Sequence, residues 1–194
     1  MLAVKRFLNN IRLAGILTLL LALPVSATLV RYLPLEEQAH TAAVVVVAVA
    51  GGQNCVWGSN SALIYTDTQF RVEEWVKGQD AGGNLTTRQL GGVIGEMGQR
   101  VAGTPVFRTG SRYVLFLAER GDGRYRVVGF SQGAYPVVRS VWGAKKVMPS
   151  LAAAEGTELV GIPGKDGSGD EGGSGKNLPL GEFLTRIRTI LGEE

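Results

Sequence analysis

Residues 111–138 read SRYVLFLAERGDGRYRVVGFSQGAYPVV, and the order of residue types in this stretch decides the fold class. Tyr113-Val114-Leu115-Phe116-Leu117 is an unbroken apolar run of strand length, the pattern of a strand buried in a core. Gly121-Asp122-Gly123 follows, with residue types that tight hairpins favour. Tyr125 to Phe130 reads as the returning strand, and Ala134 to Val138 as extended chain.

Moving upstream, Leu63 to Val76 carries the alternation Phe70-Arg71-Val72-Glu73, a strand with one wet face. Lys77 to Asp80, with Gly82 and Gly83, reads as the turn into a strand at Leu85–Leu90. Glycines at 91, 92, 95, 98 and 103 punctuate a segment whose pairing the residues leave open. Ala42 to Ala50 (AAVVVVAVA) is small or β-branched throughout, which suits a strand buried on both faces. Gly51 to Ser61 reads as a loop. Leu33 to Ala39 has a proline at a helix start and two carboxylates in the first turn, so a short helix is expected there. Short strands at this spacing, with glycine at the corners, predict a mainly β domain over residues 28–145, a small antiparallel barrel.

The two ends read differently. Lys5, Arg6 and Arg12 precede the apolar run at 13–23, and Pro24-Val25-Ser26-Ala27 closes it with small residues. That order is a secretory signal, residues 1–27. Eleven apolar residues span about 16 Å of helix, roughly half a bilayer core, so membrane contact is expected only through this segment if it is kept. The mature chain is expected to begin at Thr28, in a secreted or periplasmic compartment. At the other end, residues 146–163 form an extension. Residues 164–176 (GKDGSGDEGGSGK) contain no apolar residue and read as a flexible linker. Residues 177–194 form an amphipathic helix whose Leu180, Phe183, Leu184, Ile187, Ile190 and Leu191 share one face. This face is expected to dock back on the barrel.

Charge and chemistry narrow the function. The chain has a formal net charge of +3, but the three cations of the leader account for it, so the remainder is balanced and a nucleic-acid partner is not expected. Arg120 to Arg126 is interrupted by Asp122, which is poor for a phosphate-binding face. One Cys rules out an internal disulfide framework, and one His rules out a His-pair metal site. Gly129-Phe130-Ser131-Gln132-Gly133 matches the G-x-S-x-G of serine hydrolases, yet Pro136 blocks the helix that must follow, and no His lies beyond His40. A strand corner is the expected role of Gly129 and Gly133. His40 reads as a cap on the end of the first helix, and Cys55 as an incidental loop residue. Glu73 and Glu74 point to opposite faces of a strand and cannot cooperate as an acid–base pair. No catalytic, cofactor-binding or metal-ligating residues are therefore assigned, and no cofactor is expected.

The run Ile64-Tyr65-Thr66-Asp67-Thr68-Gln69-Phe70-Arg71-Val72-Glu73-Glu74-Trp75-Val76-Lys77-Gly78 resembles a family of uncharacterised secreted bacterial proteins. The resemblance continues through Gly91-Gly92, Pro105 to Gly110, Ser111 to Leu117 and Tyr125 to Gly133. It covers residues 34–138. Such proteins are similar to the netrin-like, tissue-inhibitor-of-metalloproteinase type of OB-fold, so the resemblance implies an OB-like barrel and an extracytoplasmic location. The chain departs from those inhibitors at the edge that meets zinc: no Cys stands near Thr28, and no disulfide braces it. The expected function is a non-enzymatic binding module for an unknown protein or polymer. The alternatives are a serine hydrolase using residues 129–133 and an inhibitor or partner of an extracellular protease.

Overall fold

The computed structural model describes residues 28–78, 82–140, 143–148, 157–160 and 178–192. The expected signal segment 1–27, the expected linker 164–176 and most of the expected 146–163 extension lie outside the described residues. The rest is mainly β, with a short helix near the N-terminus and a second helix at the C-terminus, as the residue pattern predicts.

The elements run β1 (Thr28–Arg31), α1 (Leu35–Thr41), β2 (Val44–Trp57), β3 (Ile64–Lys77), β4 (Asn84–Leu90), β5 (Gly92–Ile94) and β6 (Met97–Gln99). They continue with β7 (Arg112–Glu119), β8 (Tyr125–Val127), a 3-10 turn (Phe130–Gly133), β9 (Ala134–Arg139), β10 (Lys145–Val147), β11 (Thr157–Val160), β12 (Leu178–Pro179) and α2 (Leu180–Leu191). The main sheet has the order β12-β10-β9-β7-β2-β3-β4-β8. Its last strand also pairs antiparallel with β7, through Leu117–Val127 to Glu119–Tyr125, and meets β4 in parallel at Thr87–Tyr125. Pairings thus run from β7 through β2, β3, β4 and β8 back to β7. β1 pairs in parallel with β11, and β5 with β6 in a small separate hairpin.

Side-chain alternation divides the apolar runs of β2 and β7 between two cores. Val44, Val46, Ala48 and Ala50 join Tyr113, Leu115, Leu117, Phe70, Phe107 and Val127 on one face. Val45, Val47, Val114, Phe116 and Ala118 join Ala39, Tyr135, Phe183, Leu184 and Ile187 on the other. Both helices therefore cover the outer face of β2 and β7. α2 is held by that packing and by Arg188, which donates to Glu74 at 2.6 Å. Its C-terminus closes at Gly192, whose φ of +74° lets the N–H turn back to the carbonyl of Arg188.

Three local readings are corrected. Gly51 to Ser61 is loop only from Gly58: β2 continues to Trp57, and Cys55 lies in it. Pairing with β3 overrides the weak strand propensity of Gly51-Gly52 and Asn54, and the two glycines fall where the register shifts between Ala50 and Gln53. The returning strand ends at Val127 rather than Phe130, because Gly129 adopts φ +63° and starts the 3-10 turn. His40 does not cap α1 in the structure. Lys77 from β3 does so, its Nζ donating to the carbonyls of Ala39 (2.7 Å), His40 (3.2 Å) and Ala42 (2.6 Å).

Candidate functional site

The outer face of β3 and β4 is built by register. Asp67 stands directly across from Arg88, and Gln69 across from Thr86. At such positions side chains on one face meet. Arg88 donates Nε and Nη2 to the two oxygens of Asp67, each at 2.6 Å, with both side chains less than one-fifth exposed. Bidentate geometry of this kind fixes both side chains, and the bond to Asp67 raises the Arg88 guanidinium above its ordinary pKa. Arg124, from the turn before β8, donates to the same carboxylate at 3.2 Å and lies 3.5 Å from Asp122. Arg88 and Arg120 each stack on the Tyr65 ring, at 5.6 and 5.7 Å from its centroid. The network ties β3, β4 and the 120–124 turn into one rigid surface.

Two hollows adjoin on this surface. One, of about 520 Å³, is lined by Gln53, Asn54, Asp67, Gln69, Thr86 and Arg124. The second, of about 460 Å³, shares Gln69 and Thr86 and adds Asn84, Trp75 and Tyr125. Amide and hydroxyl groups both donate and accept, and Trp75 and Tyr125 add aromatic surface. The surface is suited to bind a polar chain lying across the strands. Sequence reading found the wet face of β3 but not its partners, because register, not composition, puts Asp67 opposite Arg88.

The G-x-S-x-G segment lies elsewhere and has a structural task. β8 and β9 share one edge of β7, and residues 128–133 bulge out between them: Val128 N–H donates to Phe116 O at 2.9 Å, and Gly133 N–H to Val128 O at 3.0 Å. Ser131 is 2% exposed within this bulge, its N–H bonded to Gly103 O at 2.9 Å. His40 is exposed at the far end of α1, and no hydrogen bond joins the two among the described residues. Gln132 is the working polar residue. Its Oε1 accepts from Leu33 N–H (2.8 Å) and its Nε2 donates to Arg31 O (2.9 Å). Gln38 extends the network, donating to Leu33 O at 2.7 Å and accepting from the Tyr135 hydroxyl at 3.0 Å. The segment leading into α1 is thereby sewn to the bulge.

Glu73 and Glu74 diverge as expected: Glu73 accepts from Arg112 (2.5 and 2.9 Å), Glu74 from Arg188. Cys55 Sγ lies 3.5 Å from Thr66 Oγ1. Among the described residues no group of His, Cys, Asp or Glu side chains is arranged to hold a metal ion. No helix among them is long and apolar enough to cross a membrane. Comparison of the chain with family models and with curated proteins returns no match.

Proposed function

We propose that the chain is a non-enzymatic binding module of the secreted or periplasmic space, built on an OB-like β-barrel. Its partner, a protein or polymer, lies along the outer face of β3 and β4. The ring of pairings from β7 through β2, β3, β4 and β8, with its one parallel seam, supports the barrel reading. OB-type barrels use the face of their second and third strands for ligands, which here are β3 and β4. The single observation carrying the function is the pair of adjoining polar hollows on that face. Arg88, Arg120 and Arg124 are each paired with Asp67 or Asp122, so the face offers few free cations to phosphates, which weighs against nucleic acid. The burial of Ser131 weighs against the hydrolase alternative.

The test uses the whole chain, immobilised against culture supernatant and envelope extract. Gln69 is exposed and lines both hollows, so Gln69→Arg should abolish capture of whatever the unaltered chain retains, with no change in thermal unfolding. Equal capture by both forms, or stoichiometric labelling of Ser131 by a fluorophosphonate, would overturn the reading. Export is checked on the same material: the intact mass of the secreted form should correspond to a chain starting at Thr28.

A further inference from the structure

At the C-terminal end of β4 a separate cleft of about 260 Å³ opens between β4, residues 104–105, β8 and the 3-10 turn. Leu90, Pro105, Val127 and Phe130 supply its apolar surface, and its charged lining is cationic throughout: Arg88, Arg120 and Arg126, with no carboxylate. These arginines are not equally free. Arg88 is committed to Asp67, and Arg120 lies 3.7 Å from Asp122. The Arg126 side chain has neither a hydrogen bond nor an ion pair among the described residues. Arg126 thus offers the one guanidinium of this lining without a carboxylate partner among the described residues.

Phe130 is the second observation. Its φ is +59°, in the left-handed region that bulky residues rarely occupy, and its side chain is 51% exposed. Packing does not explain the ring, and turn chemistry would favour Gly or Asn at this position. The flanking bonds of Ser131 N–H to Gly103 and of the Gln132 side chain to Arg31 and Leu33 hold the backbone in place. Strain kept by such overdetermined surroundings is characteristic of ligand-binding positions.

We propose that this cleft binds a small apolar carboxylate: a ring-sized body against Phe130 and Val127, with its carboxylate on Arg126. The cleft is smaller than a typical drug-sized pocket, so one ring or one branched side chain fills it. A free aryl acid and the C-terminal residue of a peptide present the same chemistry. The cleft adjoins the β3–β4 face through Arg88 but is separate from its two hollows, since neither Gln69 nor Thr86 lines it.

The experiment titrates the full chain by calorimetry and by amide chemical shift with phenylacetate, phenylacetamide, acetate, and a tripeptide ending in Phe with a free or amidated terminus. The acid of at least one pair should bind saturably, and its amide about tenfold more weakly, the worth of one charge-assisted bond. Acetate alone should not saturate. Arg126→Gln should weaken the acid about tenfold and leave the amide unchanged; Phe130→Ala should weaken both. Gln69→Arg should bind the acid as the unaltered chain does, which separates this site from the other. Whichever acid binds more tightly identifies the source. Equal affinity for acid and amide, full affinity in Arg126→Gln, or no saturable binding by either acid would overturn the proposal.

Discussion

Single residues in the 128–133 bulge divide sharply by what they touch. A Cβ on Gly133 would sit 2.5 Å from Val128 O and 3.2 Å from Phe116 O, both backbone atoms that cannot swing aside. Gly133→Val should therefore cost about 3 kcal/mol or more, as severe overpacking does. Ser131→Ala removes one small hydroxyl and leaves the backbone bonds of the bulge in place, so a loss within about 1 kcal/mol is expected. Urea unfolding of the two variants checks the contrast; a Ser131→Ala as damaging as Gly133→Val would mean the hydroxyl anchors the bulge. The glycines of G-x-S-x-G were legible as a corner because their residue type restricts the backbone options. The task of Gln132 was not legible. Its two partners lie about a hundred residues earlier in the chain, and nothing in its neighbours announces them.

Among the elements, α2 shows how far periodicity carries. Its spacing predicts one apolar face, and Phe183, Leu184 and Ile187 are indeed buried against α1 and the sheet. Ile187 is fully buried, so Ile187→Ala should destabilise the fold by about 2–5 kcal/mol. Thermal unfolding with amide exchange over 180–191 measures it. An unchanged melting temperature, with fast exchange in the helix, would mean that α2 contributes nothing to the packed fold. The strands were legible where alternation is strict, as in β3, or where an apolar run is continuous, as in β7. β2 beyond Ala50 was not. There Gly and Asn carry turn signals, and only pairing with β3 keeps the chain extended. Lys77 as the cap of α1 was hidden for the same reason: a cation on a wet strand looks solvated until the helix end is placed beside it.

Over the whole molecule, Glu73 and Tyr135 each contribute to one limb of the dependence of stability on pH. Arg112 holds the Glu73 carboxyl below its ordinary 4.5 through a side-chain hydrogen bond. Its folded pKa lies below its unfolded one, so its contribution is present above the unfolded value and is lost as pH falls through the folded one. Burial pushes the Tyr135 phenol well above its ordinary value of about 10. That contribution is complete below the unfolded value and is lost as pH rises beyond it toward the folded one. The urea midpoint should therefore fall on the acid side less steeply in Glu73→Gln, and fall on the alkaline side less steeply in Tyr135→Phe. Limbs that keep their slopes in these variants would assign the titration to other groups.

The contact between α1 and α2 sets a clock. Arg186 reaches back to Glu36 across 150 residues of chain, and the core face shared by Ala39, Val45 and Val114 is completed only by Phe183, Leu184 and Ile187. A chain made N-terminus first at about 5–20 residues per second leaves that face uncovered for on the order of ten seconds. Throughout that interval the nascent protein carries an open apolar face, which closes only when Phe183, Leu184 and Ile187 arrive.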